Sequence, residues 1–122
     1  MTKTILTIDD SASIRQMVAM TLKSAGLNVL EAANGLEGYN KAITETVHAV
    51  VTDLNMPVMN GLEFLKKFRQ HPMGKGIPVI LLTTESDEEL KRQARESGAT
   101  GWIVKPFKQD QLLAVIKKVT GA

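Results

Sequence analysis

Asp9-Asp10, Asp53, Thr83 and Lys105 are the residues of this chain whose types and positions can do chemistry together. Each lies at or just beyond the C-terminal end of a short apolar run: Thr4–Ile8, His48–Thr52, Val79–Leu82 and Trp102–Val104. If those runs are parallel strands of one sheet, the five residues converge on a single edge. Three carboxylates gathered there repel strongly without a counter-ion. A magnesium ion answers that need, because it takes oxygen ligands, keeps several waters and bridges carboxylates to phosphate. Lys105 adds a fixed positive charge, and an X-Pro bond such as the one to Pro106 can adopt cis at modest cost, which could turn the ammonium inward. The Thr83 hydroxyl can donate to a phosphoryl oxygen. Asp53 is then the nucleophile, a carboxylate that attacks phosphorus to form an acyl phosphate. Taken singly these residues are ordinary, since an Asp at a strand end usually caps a helix or forms a turn. Together at matching strand ends they mark a site.

The elements that must position them can be read from periodicity. Strand-length apolar runs recur at Thr4–Ile8, Asn28–Glu31, His48–Thr52, Val79–Leu82 and Gly101–Val104. Between them, Ile14, Met17, Val18, Leu22 and Ala25 fall on one helical face, and Gly26 follows as a stop. Leu36, Tyr39, Ala42 and Ile43 form a second face, and Leu62, Leu65 and Phe68 a third. Ser86 as N-cap with Glu89 three residues later resembles a capping box for an unusually polar fourth helix, anchored by Leu90 and Ala94. Leu112, Leu113, Ile116 and Val119 drive a fifth, closed by Gly121. Runs such as Val79-Ile80-Leu81-Leu82 do not alternate with polar residues, so both faces of the sheet must be covered. The pattern is a (βα)₅ doubly wound α/β fold, a single domain over residues 1–122 with ligands at the strand-to-helix edge.

Composition excludes several function classes. The 122 residues carry 43% hydrophobic and 23% charged side chains, as soluble globular domains do. Absence of cysteine rules out thiolate metal sites and cysteine nucleophiles. No apolar stretch approaches the ~18 residues of a membrane span, and the first strand is too short for a signal peptide, which implies a cytoplasmic protein. The net charge is +2; a site of net −2 leaves +4 elsewhere, enough to steer an acidic partner protein. No DNA- or RNA-reading motif accompanies that charge. His48 and His71 lack ligand spacing and read as surface or strand-edge residues. Met56 and Met59 read as packing in the turn after Asp53, and Gly74-Lys75-Gly76 as a flexible connection without the rest of a phosphate loop.

Ile8-Asp9-Asp10-Ser11, Asn34-Gly35, the stretch Thr52 to Gly61 (TDLNMPVMNG), Leu82-Thr83-Thr84-Glu85, Gly98-Ala99 and Lys105-Pro106-Phe107 make the chain resemble response-regulator receiver domains, in particular the stand-alone, CheY-like chemotaxis receivers. That resemblance covers essentially the whole chain. It implies a flavodoxin-like sheet of strand order 2-1-3-4-5 and Asp53 as phosphoacceptor. It implies that Asp10, Asp53 and the Asn55 carbonyl ligate magnesium, with Asp9 acting mostly through water, and that Thr83 and Lys105 contact the phosphoryl oxygens. A histidine kinase would be the donor and a flagellar motor switch component the output partner, with a phosphatase possible and the protein monomeric. Thr83 and Trp102 would be the switch residues, although the family more often has Tyr, Phe or His where Trp102 stands, and the larger indole is harder to turn inward. Asn55 and Glu85 would tune hydrolysis of the acyl phosphate, and their pairing matches fast-cycling regulators. The expected protein is a switch without a turned-over substrate or an output domain, in chemotaxis or, alternatively, as a phosphorelay intermediate or phosphate sink.

Three rival functions are distinguishable. Aspartyl-phosphate hydrolases place a second Asp two residues after the nucleophile, where this chain has Asn55. A flavodoxin-like electron carrier needs a hydroxyl- and glycine-rich loop after the first strand, where Asp9-Asp10-Ser11 would repel a flavin phosphate. A phosphorylation-incompetent interaction module has no need of the full acidic and Lys set.

Overall fold

The computed structural model describes residues 2–121; Met1 and Ala122, the ends of the expected domain, lie outside the described residues. Five strands, β1 (Thr4–Ile8), β2 (Asn28–Ala32), β3 (Ala49–Thr52), β4 (Val79–Thr83) and β5 (Gly101–Val104), alternate with α1 (Ala12–Ser24), α2 (Gly35–Thr44), α3 (Gly61–Gln70), α4 (Glu88–Glu96) and α5 (Gln109–Thr120). All pairings are parallel and the order is β2-β1-β3-β4-β5. The expected α/β doubly wound fold is the observed one.

The alternation of side chains along each strand divides the core in two. Ile5, Ala49, Val51, Ile80, Leu82 and Ile103 face α1 and α5, meeting Val18, Leu22, Leu112 and Ile116. Leu6, Ile8, Val50 and Val79 face the other way, onto Ala42 of α2 and Phe64, Leu65 and Phe68 of α3. Phe64 and Phe68 stack with centroids 5.3 Å apart. Each is fully buried, so truncating either to Ala should cost about 3–5 kcal/mol.

Helix starts follow cap chemistry. Ser11, Asn34 and Asn60 accept hydrogen bonds from the amides of Ile14, Glu37 and Glu63, and Asn60 with Glu63 completes a capping box. The fourth helix departs from expectation: its N-cap is Asp87, which accepts from Leu90 N–H at 3.0 Å, and not Ser86. Both residues can cap, and the carboxylate adds attraction to the helix N-terminus. Ala94 is the only residue of α4 that is buried. Gly121 closes α5 in the left-handed conformation, as the C-terminal stop signal predicts.

Gly74 corrects the expected flexible connection. It is buried in a short 3₁₀ turn, Pro72–Gly74, and a Cβ there would lie 1.8 Å from the Phe68 carbonyl oxygen. Arg69 ties the segment down, donating to the carbonyls of Gly74, Ile77 and Gly98. Burial lowers the Arg69 pKa, a cost borne by the loss of water around a guanidinium spent on backbone carbonyls. His48 and His71 both turn out to serve the backbone: their Nδ1 atoms accept from Thr4 and Met73 amides at 2.9 and 3.0 Å. Met56 and Met59 pack at the edge of the second core, as expected.

Candidate functional site

Parallel register brings the strand ends level. Ile8 of β1 pairs with Thr52 of β3, and Thr83 of β4 with Val104 of β5, so the next residues, Asp9, Asp53 and Lys105, leave the sheet together. Backbone bonds extend the ladder past the strands: Asp9 N–H donates to Ala32, Asp53 N–H to Ile8 and Lys105 N–H to Thr83, at 2.8 to 3.1 Å. Main-chain geometry therefore sets the site before any side chain acts.

One oxygen of Asp9 accepts the Ser11 amide at 2.9 Å and the other accepts Lys105 Nζ at 2.8 Å. Asp53 Oδ1 accepts the Leu54 amide at 2.7 Å, while Oδ2 stands 3.2 Å from the same Nζ. Asp9 is 3% exposed and Asp53 9%, whereas Asp10 is open to solvent. The Lys105–Pro106 peptide bond is cis, as the sequence allowed. Burial works to lower the Lys105 pKa, but the hydrogen bond to Asp9 and the charges of Asp53 and Asp9 outweigh it, leaving the ammonium above its ordinary value. Lys105 is held as a cation.

Oxygens of Asp9, Asp10 and Asp53 lie within 4.8 Å of one another. Three hard oxygen donors served, among the described residues, by one ammonium have surplus negative charge and free lone pairs. This donor set fits a hard divalent cation such as magnesium.

The rim carries the remaining sequence-predicted residues. Thr83 is fully buried, and its Oγ1 accepts the Glu85 amide at 3.3 Å, which leaves the hydroxyl proton available. Asn55 is exposed, and its Nδ2 donates to Glu85 Oε1 at 3.3 Å. Trp102 contributes no atom to the acidic cluster; its indole Nε1–H donates to the Glu85 carbonyl at 3.0 Å.

Two supports escaped sequence reasoning. Arg15 of α1 donates to the Asp9 carbonyl at 2.7 Å and to Glu31 of β2 at 3.2 Å, pinning the turn that presents Asp9 and Asp10. Gly61, the first residue of α3, leaves no room for a side chain: a Cβ would lie 2.2 Å from the Asp53 carbonyl oxygen. Its position within TDLNMPVMNG was the available signal. In the same loop Val58 adopts φ 69°, the left-handed region, with its side chain in solvent.

Residues 5–117 match the response regulator receiver domain family. Chemotaxis protein CheY1 of Helicobacter pylori is 37% identical over 119 residues, covering 96% of each chain. The phosphate regulon transcriptional regulatory protein PhoB of Pseudomonas aeruginosa is 35% identical over 117 residues; these are 96% of this chain but only 51% of PhoB. Among solved structures, the chemotaxis response regulator CheY4 of Vibrio cholerae superposes with a TM-score of 0.92 at 44% identity, covering 98% of this chain and 99% of that one. With its strand order, its acidic edge and a family match across nearly its full length, this chain belongs to the response regulator receiver domains of two-component signalling.

Proposed function

We propose that the protein is a magnesium-dependent phosphoacceptor switch in which Asp53 takes a phosphoryl group from a histidine kinase. The observation that carries this reading is Lys105 Nζ set 2.8 Å from Asp9 and 3.2 Å from Asp53, beside three carboxylates with unspent charge. In the transfer, an Asp53 oxygen forms a bond to phosphorus as the bond from phosphorus to the donor imidazole nitrogen breaks. The electron pair goes to that nitrogen, which takes up a proton. Lys105 stabilises charge on the transferring group, a preorganised and largely buried cation. Thr83 offers its hydroxyl proton to a phosphoryl oxygen. Asp10, Asp53 and the Asn55 carbonyl would hold magnesium, with Asp9 behind them, and the bound ion would neutralise phosphoryl charge.

The product is an acyl phosphate that adds negative charge beside Thr83 and biases the loop and β5. No other substrate is turned over; self-phosphorylation and self-dephosphorylation are the only reactions. Signalling is by protein contact in the cytoplasm as a monomer, without nucleic acid or membrane; among described residues no helix is long and apolar enough to cross a bilayer. Near-full-length similarity to CheY proteins supports chemotaxis, with a CheA-like kinase as donor, a flagellar motor switch component as target and a phosphatase as a further partner. The likeness to PhoB shows that receivers serve outside chemotaxis as well, and a single-domain phosphorelay intermediate or phosphate sink is the second reading.

The test is direct. Incubated with magnesium and a small acyl phosphate donor, the wild type should acquire a base-labile phosphoryl group and Asp53→Asn should not. Beryllofluoride should change Trp102 emission in the wild type alone. Equal labelling of the two proteins would refute Asp53 as the acceptor.

A further inference from the structure

Glu85 is the junction of the site's rim. Its amide donates to Thr83 Oγ1, its carboxylate accepts from Asn55, and its carbonyl accepts the Trp102 indole N–H. The second bond ties the loop after β4 to the loop that follows Asp53, and the third reaches back to β5. We infer that Trp102 is a positioning residue for hydrolysis of the acyl phosphate, setting its lifetime by fixing where Glu85 stands. The inference rests on the reading of Asp53 as phosphoacceptor.

Hydrolysis needs water to approach phosphorus opposite the Asp53 oxygen. The water oxygen bonds to phosphorus, the bond from phosphorus to Asp53 breaks, and its electron pair returns to the carboxylate. Hydrogen phosphate and one proton are released. Asp53, Asp9 and Thr83 are buried, so water enters from the solvent side, where Asn55 and Glu85 meet. A water there is oriented by Asn55 and Glu85 only while both hold their places, and orientation governs the rate.

The indole is only half-buried. It borders an open cleft of about 160 Å³ between α4 and β5, lined also by Lys91, Ala94, Arg95 and Ala99. The bond to Glu85 is the directional tie. Because α4 contributes one buried residue, the loop between β4 and α4 has little else to anchor it from that side. Removing the N–H while keeping an aromatic ring therefore frees Glu85 without emptying the β5 position.

The experiment follows phosphate release after removal of a small phosphodonor, in wild type, Trp102→Phe, Glu85→Ala and the double variant. Trp102→Phe should load at the wild-type rate, keep its thermal midpoint and decay about threefold more slowly, the scale of one hydrogen bond. In the Glu85→Ala background the same substitution should change nothing further, a non-additivity that a merely structural tryptophan would not produce. Wild-type decay in Trp102→Phe, or effects that multiply, would overturn the inference while leaving the phosphoacceptor intact. Absence of label on every protein, wild type included, would overturn the phosphoacceptor reading and this inference with it.

Discussion

The Asp53 carboxylate is placed by backbone more than by side-chain contacts. Asp53 is held from behind by the hydrogen bond its N–H donates to the Ile8 carbonyl and by the close approach of Gly61 to its own carbonyl. Gly61→Ala puts a methyl group where the Asp53 oxygen sits, so the chain must shift. Overpacking of this kind costs about 1–3 kcal/mol. Urea unfolding should show that loss, and phosphoryl uptake should slow because Asp53 moves relative to Lys105. An unchanged midpoint would mean that the loop yields freely. At this scale the sequence was informative about Asp9, Asp10, Asp53, Thr83 and Lys105, because their types and strand-end positions restrict the chemistry. Arg15 and the Trp102–Glu85 bond were hidden, since both end on a backbone carbonyl and any residue supplies one.

Among the elements, α4 stands apart. Its surface is laced with ion pairs: Arg92 meets Glu89 and, at 2.7 Å, Glu96, while Lys91 meets Glu88 at 3.6 Å. Arg92 and then Gln93 hold the Glu89 carboxyl below its usual value. A depressed carboxyl stabilises the helix above its unfolded pKa and ceases to as pH falls through the folded one. Pairs this exposed are also screened by salt. Amide exchange in α4 should therefore exceed that in α3 at neutral pH, and the gap should widen in acid or at 1 M salt. Equal protection of α3 and α4 would contradict the reading. Element types were legible because strands and helices differ in apolar period. The start of α4 was not, since Ser86 and Asp87 are both competent caps and only the geometry of the Leu90 amide chooses between them. Gly74 misled for a similar reason: glycine marks a flexible link and a close contact with the same letter.

For the whole molecule, function and stability pull against each other at one edge of the sheet. Among the described residues Asp9, Asp10 and Asp53 share a single nearby ammonium, so without a metal the folded state carries repulsion that the unfolded chain does not. Asp10→Asn should raise the thermal midpoint by a few degrees in chelator. Magnesium should raise the wild-type midpoint and leave the variant nearly unmoved, by linkage of binding to folding. A variant less stable than wild type in chelator would show that Asp10 contributes structure and not strain. The overall topology was readable because unbroken apolar runs demand cover on both faces and right-handed crossovers send every strand-to-helix turn to one edge.

Val58 gives that edge one more property. A β-branched residue in left-handed backbone with its side chain in water is disfavoured by about 1–2 kcal/mol and gains little from burial. The Met59 amide closes onto the Pro57 carbonyl at 2.7 Å across Val58, and both ends of the loop after Asp53 are clamped, Leu54 by the Gly61 amide and Met59 by the Gly35 amide. It behaves as a sprung latch and not as slack rope: loosening either clamp lets Val58 relax, so the loop should lose its form all at once.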